Sequence, residues 1–281
     1  MTFRLANVEG RAALVLGTGL YDLHRHSDGR IGPDPMAAVI RFAELGEIAA
    51  SLEGTDADAA FDPERLHPPV PRPQKVIGIG LNYRDHAAEA GLDLPTSPLV
   101  FAKFPSCLVG PEHDITLAGS RDDWEAELVV VIGKGGHRIP AAKAWSHVAG
   151  LTVGQDISAR DVQFAVPPPQ FTLGKSYDTY GPVGPVMVSV DAFEHPEDLA
   201  ISCDVNGVRR QTSRTSEMIF SVPELIEHLS SVMTLVPGDL IFTGTPAGVG
   251  SASNEYLKPG DVITTTIEGI GTLTNRCVSP C

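Results

Sequence analysis

DDWEAELVVVIGKG, residues 122–135, sets two glutamates, Glu125 and Glu127, at the head of one of the most apolar runs in the chain. Residues 128–132 have the length and β-branched content of a short buried strand, and Gly133 bounds them. Alternate side chains of a strand share a face, so Glu125 and Glu127 point the same way. Two carboxylates that close repel, and each raises the other's pKa unless a cation sits between them. On this stretch alone two readings stay open. One is a solvated strand end; the other is a divalent-metal site that draws further oxygen ligands from elsewhere, since no counter-charge is evident beside the acids.

Outward from this run, the chain beyond Lys75 repeats the same pattern. KVIGIG, LVVVIG, GPVMVSV, LAISCDVNG, DLIFTG and DVITTTIEGIGTLTNRCV are strand-like segments punctuated by Gly and Pro. Helices are fewer: one is expected over residues 83–90 ending at Gly91, one over 140–149 ending at Gly150, and one opened by the capping box Ser221-Val222-Pro223-Glu224. Strands mostly follow strands, which argues against a doubly wound parallel sheet and for a β-rich α+β fold. Residues 1–70 read as a small N-terminal α/β domain. It has strands near residues 4–7 and 13–16, then a helix over 36–52 with Asp34 as N-cap and Pro35 at the first helical position. HPPVPRPQ, residues 67–74, reads as a stiff linker into a main domain over 71–281.

The 281 residues suit one large domain or a main domain with a smaller one, and either can bury an ample core. Acidic residues number 35 against 21 basic, a net charge of −14, which argues against nucleic acid or an anionic membrane as partner. An anionic substrate stays open, because a metal and a few local cations invert the field inside a pocket. No apolar run approaches the roughly 20 residues that span a bilayer, and AALVLG near the N-terminus reads as a strand rather than a signal peptide. Cys107, Cys203, Cys277 and Cys281 form no C-x-x-C pair, which suits reduced thiols in a cytoplasm.

Two glycine motifs fail as nucleotide sites. In GIG, residues 78–80, Tyr83 stands where a dinucleotide fingerprint needs its third glycine; before GKS, residues 174–176, Pro169 stands where a phosphate loop needs its first. Other stretches carry candidate chemistry, each beside a plainer reading. His86 and Glu89, three apart on a short helix, form either a water-activating pair or an incidental surface ion pair. Asp156 in GQDISARD, with Arg160 and Gln163 downstream, is a ligand or a turn cap. Lys175 lies in FTLGKSYDTYGPVGP, where an exposed structural lysine is the default. TGTPAGVG, residues 243–250, offers Thr245 and backbone N–H groups to an anion, or is a tight turn.

Together these motifs resemble one family. HxxE, E-x-E, QDISARD, GKSYDTYGP, VNGxxRQ, LxPGDLIFTGTPAGVG and KPGD…IEGIGTL occur in the order and spacing of the fumarylacetoacetate hydrolase family, from about Lys75 to Cys277. The resemblance implies a β-roll of mixed sheets, usually a homodimer. It matches Glu125, Glu127 and Asp156 to carboxylate ligands of Mg²⁺ or Mn²⁺, and His86 and Glu89 to a water-activating dyad on a segment that orders over bound ligand. Lys175 matches a lysine that offsets developing negative charge, Arg160 and Gln163 match substrate contacts, and Thr245 a carboxylate-binding position. The chain departs from the family pattern at Leu81-Asn82-Tyr83, where fumarylacetoacetase has an aspartate ligand. Leu151 and Gln155 replace common Tyr and Asn, and Phe171 replaces a frequent Trp.

The implied activity is metal-dependent hydrolysis of a C–C bond in a 3-acylpyruvate or related 2,4-dioxo acid, giving pyruvate and a carboxylic acid. The alternative is isomerisation or decarboxylation of dienedioates or oxaloacetate in aromatic-acid catabolism. A non-catalytic metal-binding domain ranks last, because a structural site has no use for a water-activating pair. The expected partner is a small anionic 2-oxo acid.

Overall fold

The structure is a computed structural model describing residues 2–279. The run that opens the sequence reading is the strand Ala126–Ile132, every residue of which is buried. It pairs antiparallel with Val148–Gln155 on one side and with Leu240–Phe242 on the other. The sheet continues past Val148–Gln155 through Gly181–Val188 to the N-terminal strands Arg4–Val8, Arg11–Leu16 and Gly19–Asp22. In the other direction Leu240–Phe242 pairs parallel with Val76–Gly80, and Leu99–Lys103 closes that edge. A second sheet of five strands, with Ala200–Val205 and Val262–Ile267 inside it, packs across the first.

Strand alternation divides the core in two. Leu128, Val130 and Ile132 pack between the sheets with Leu151, Val153, Ile201 and Ile263. Val129 and Val131 face the opposite way, onto Leu5, Leu14, Phe242 and the helix residues Val39, Leu45 and Ile48. Each such side chain contributes about 1.5–3 kcal/mol by leaving water, so this central strand is fixed from both sides. The fold is the β-rich mixed α/β class expected from the sequence.

The N-terminal strands build no sheet of their own: Arg4 pairs with Val188 and Leu5 with Met187, so residues before the proline-rich stretch extend the main sheet. The helix expected over 36–52 is two helices, Pro35–Ile40 and Phe42–Ser51, with Asp34 accepting from Met36 N as the N-cap. The break at Arg41 lets Phe42 lie against Gly133, where a Cβ would meet its ring at 2.5 Å. The helix expected over 140–149 is a 3₁₀ segment, Ala141–His147, and the next residues enter the sheet, with Gly150 opposite Val131. Gly150 is no helix cap: a Cβ there would strike Val188 O at 2.5 Å, so the glycine permits close approach of strands. Gly91 does end the short helix Arg84–Glu89 in the left-handed conformation, φ +65°. No helix among the described residues is long and apolar enough to cross a membrane.

Candidate active site

The antiparallel register that sets Ala126 opposite Gln155 also brings residues 125–127 beside residue 156, and Asp156 N donates to Glu125 O at 2.9 Å. Glu125, Glu127 and Asp156, all buried, each offer one oxygen, and the three lie within 4.8 Å of one another. Asp156 is therefore a member of the acidic cluster and not a turn cap.

The expectation that these acids lack a protein counter-charge is corrected by the structure. Lys175 Nζ donates to Glu125 Oε2 at 2.8 Å, Asp156 Oδ2 at 2.6 Å and Ser158 Oγ at 2.9 Å, which commits all three ammonium hydrogens. Arg160 donates from Nη2 to Glu125 Oε1 at 2.6 Å, from Nε to Asp123 Oδ2 at 2.8 Å and from Nη1 to Gln163 Oε1 at 2.7 Å. Lys103, buried and not singled out in the sequence, donates to Asp156 Oδ1 at 2.6 Å, to Tyr180 O at 3.1 Å and to Lys175 O. Asp123, also missed, accepts from Gly250 N and Ser251 N besides Arg160. The alternation of LVFAK puts Phe101 and Lys103 on one face, buried in the structure, but nothing in that pattern singles out the lysine.

These contacts sort the carboxylates. Burial pushes the Glu125 carboxyl up, but Lys175 and Arg160 outweigh it and hold its pKa at about 2. Burial lowers the Lys175 ammonium, yet Asp156 and Glu125 leave it above its ordinary value. Glu127 goes the other way: burial, then Asp156 and Glu125, raise it well above the usual carboxylate range. Its Oε2 accepts from Gly244 N at 2.7 Å, and no cation is bonded to it among the described residues. A hard divalent ion held by the three oxygens would return Glu127 to its ionised form. All-carboxylate donors suit Mg²⁺ or Mn²⁺ better than a softer metal, so the residues fit the group the sequence implied.

The dyad residues meet as the spacing predicts, His86 Nδ1 lying 3.3 Å from Glu89 Oε2. Glu89 is itself held by Gly248 N, at 3.0 Å to Oε1 and 3.2 Å to Oε2, while Asp85 accepts from Ala247 N and Ser213 Oγ at 3.3 Å each. The short helix is thus clasped to the TGTPAGVG loop by two carboxylates. Thr245 spends its hydroxyl hydrogen on Ala126 O at 2.9 Å and accepts from Gln211 Nε2 at 2.8 Å, so its side chain braces the strand. A cavity of about 360 Å³ joins these parts: His86, Glu125, Arg160, Gln163, Lys175 and Thr245 all line it.

The departures from the family pattern find places too. Asn82 is buried and donates to Thr243 O and Phe220 O while accepting from Phe220 N, so it locks two segments together. Gln155 accepts from Glu125 N at 2.9 Å and donates to Thr265 Oγ1 at 2.8 Å, fixing the backbone under a cluster residue. Leu151 lies in the core between the sheets, and Phe171 lines the cavity, stacked on Phe101 with ring centroids 5.6 Å apart.

Known proteins share this architecture. Residues 75–278 match the family model described as fumarylacetoacetate (FAA) hydrolase C-terminal. The chain is 48% identical over 223 residues to the oxaloacetate tautomerase YisK of Bacillus subtilis, covering 75% of this chain and 72% of that one. A solved Mycobacterium smegmatis structure provisionally named HpcE superposes with a TM-score of 0.91 at 44% identity, covering 99% of this chain and 100% of that one. A maleylpyruvate hydrolase of Sphingobium sp. SYK-6, solved with manganese(II) and pyruvate, has a TM-score of 0.81 at 29% identity over 99% and 100% of the two chains. With the matched family model covering most of its length and the buried acidic cluster at its centre, the chain belongs to the fumarylacetoacetate hydrolase family.

Proposed function

We propose that this chain interconverts the keto and enol forms of a 2-oxo acid with the help of a divalent metal. The observation that carries the reading is that His86, bonded to Glu89, and Glu125, one member of the buried carboxylate cluster, line the same cavity. The tautomerase name of the Bacillus subtilis relative supports it. Glu125, Glu127 and Asp156 would hold Mg²⁺ or Mn²⁺, which when bound supplies Lewis-acid polarisation of the 2-oxo group. The protein's own part is the proton. With Nδ1–H donating to Glu89, His86 presents Nε2 to the cavity as the base that removes a proton from C3 and returns it. Glu89, fixed by Gly248 N–H, keeps that tautomer in place. Lys175 and Arg160 keep Glu125 ionised, and their positive charge offsets the negative charge that gathers on the substrate oxygen.

The test follows the enol absorbance of oxaloacetate and of phenylpyruvate. Added Mg²⁺ or Mn²⁺ should accelerate tautomerisation, chelation should abolish the acceleration, and His86→Ala should reduce it by roughly 10²–10⁴-fold. Absence of metal-dependent acceleration with both acids overturns the reading. A second reading, hydrolysis of a 3-acylpyruvate, draws support from the maleylpyruvate hydrolase solved with manganese(II) and pyruvate. There His86 would take the proton of an attacking water, and pyruvate release measured with lactate dehydrogenase distinguishes the two.

A further inference from the structure

The cavity is polar at its base and apolar toward its mouth. Glu125, Arg160, Lys175 and Thr245 are buried, whereas Leu92, Leu99 and Phe164 are 56%, 40% and 51% exposed. Between them Phe101 stacks on Phe171, and Lys175 Nζ sits 5.1 Å from the Phe101 ring centroid, which marks where the polar floor meets the apolar wall. Leu81 completes that wall.

The glycines of GIG account for how the wall is seated. Gly78 and Gly80 lie opposite Phe101 and Leu99 across the strand pair. A Cβ on Gly78 would meet the Phe101 ring at 2.3 Å, and one on Gly80 would meet Leu99 Cδ2 at 2.8 Å. Two slots in the inner strand let a phenyl ring and an isobutyl group from the edge strand lie down against the sheet.

The wall also offers little to a second negative charge. The cations lining the cavity are Arg160 and Lys175; Lys175 has no hydrogen to spare, and Arg160 already serves Asp123, Glu125 and Gln163. A carboxylate placed against Leu and Phe side chains would lose its water without gaining a partner.

Resting on the 2-oxo acid reading above, we infer that the site is built for a 2-oxo acid whose C3 substituent is apolar or aromatic, with Phe101, Leu99 and Phe171 as the residues that select it. Calorimetric titration of the Mg²⁺-loaded protein with pyruvate, phenylpyruvate and 2-oxoglutarate tests this as binding, whatever the reaction. Phenylpyruvate should bind at least about tenfold more tightly than pyruvate, within the range one apolar pocket discriminates, and 2-oxoglutarate no more tightly than pyruvate. Leu99→Arg should erase the phenylpyruvate advantage and favour 2-oxoglutarate. Phe171→Ala, which adds no charge, should weaken phenylpyruvate about tenfold more than it weakens pyruvate. Phenylpyruvate within twofold of pyruvate, or 2-oxoglutarate tighter than both, overturns the inference. Tight phenylpyruvate binding with no enolisation of any 2-oxo acid would sink the proposed reaction and leave the apolar subsite standing.

Discussion

Lys103→Met is the sharpest test of how the acidic cluster is held together. The substitution keeps most of the side-chain volume but removes the ammonium that bonds Asp156 Oδ1, Tyr180 O and Lys175 O. Tyr180 O keeps a donor in Ile157 N, at 3.1 Å, whereas Lys175 O loses its bonded partner. Asp156 retains Lys175 as its counter-charge. Removing one member of a fully buried ion pair costs about 3–5 kcal/mol, because the remaining charge and carbonyl stay out of water. For a chain of this size about 2–3 °C of melting temperature goes with each kcal/mol, so a fall of about 6–15 °C is expected in the presence of a chelator. The assay is urea unfolding of wild type, Lys103→Met, Asp156→Asn and the double variant, all metal-free. Since Lys103 and Asp156 bond directly, the double variant should lose less than the sum of the singles, by about 1–3 kcal/mol. A loss below about 1 kcal/mol for Lys103→Met, or additivity within about 0.5 kcal/mol, would refute the claim that this lysine neutralises the cluster.

Glu127→Gln should do the opposite in the same chelator. Burial and two neighbouring acids raise the Glu127 pKa, so its stabilising protonated form is present at low pH and is lost as pH rises. The amide should therefore stabilise the metal-free protein at neutral pH, with the gain vanishing below the ordinary glutamate value of 4.5. The variant should also lack the roughly 2.7 kcal/mol that a hundredfold excess of metal over Kd gives a binding-competent protein, and an equal metal-induced shift in its melting temperature would count against Glu127 as a ligand. Glu125 has the depressed value, 4.5 falling to about 2, so the stability it supplies is present above pH 4.5 and lost as pH drops toward 2; Glu125→Gln should flatten that acid limb in equilibrium unfolding, and an unchanged limb refutes the assignment. Burial raises the Cys107 thiol and pushes Cys203 and Cys277 up to about 12, so alkylation at pH 8 mapped by mass spectrometry should spare all three until the protein unfolds; Cys281 lies outside the described residues. The segment after Gly91, with Leu92 and Leu94 exposed, should gain hydrogen-exchange protection when oxalate and Mg²⁺ are added together, and equal exchange in both states would leave it without a role in closing the site.

Period-two alternation was enough to place the strand Ala126–Ile132 in the core, a local property of those residues, and Glu125, just before the strand, does lie close to Glu127. Bringing Asp156 to them depended on the register of Ala126 against Gln155, which no periodicity reports. Lys103 was illegible for a related reason. A lysine at a strand end is ordinarily solvated, and this one is buried because an aspartate and two carbonyls from distant segments converge on it. The proline-rich stretch suggested a boundary near residue 70, yet Arg4 and Leu5 find their partners in Val188 and Met187, far along the chain. Gly150 shows the ambiguity of glycine: it marks either a left-handed cap or a close approach, and only the neighbour at 2.5 Å decides which.

The short helix bearing His86 and Glu89 is tied to the TGTPAGVG loop by hydrogen bonds of 3.0–3.3 Å from Ala247 and Gly248 N, while the acidic cluster grows from a strand packed on both faces. The two halves of the site therefore differ in what it takes to change them. A substitution in the strand disturbs the whole interior, but one in the clasp repositions His86 and Glu89 and leaves the buried acids where they are. Such an arrangement is a mounting with an exchangeable tool, and it gives a physical reason why tautomerase and hydrolase names occur among proteins that share this scaffold.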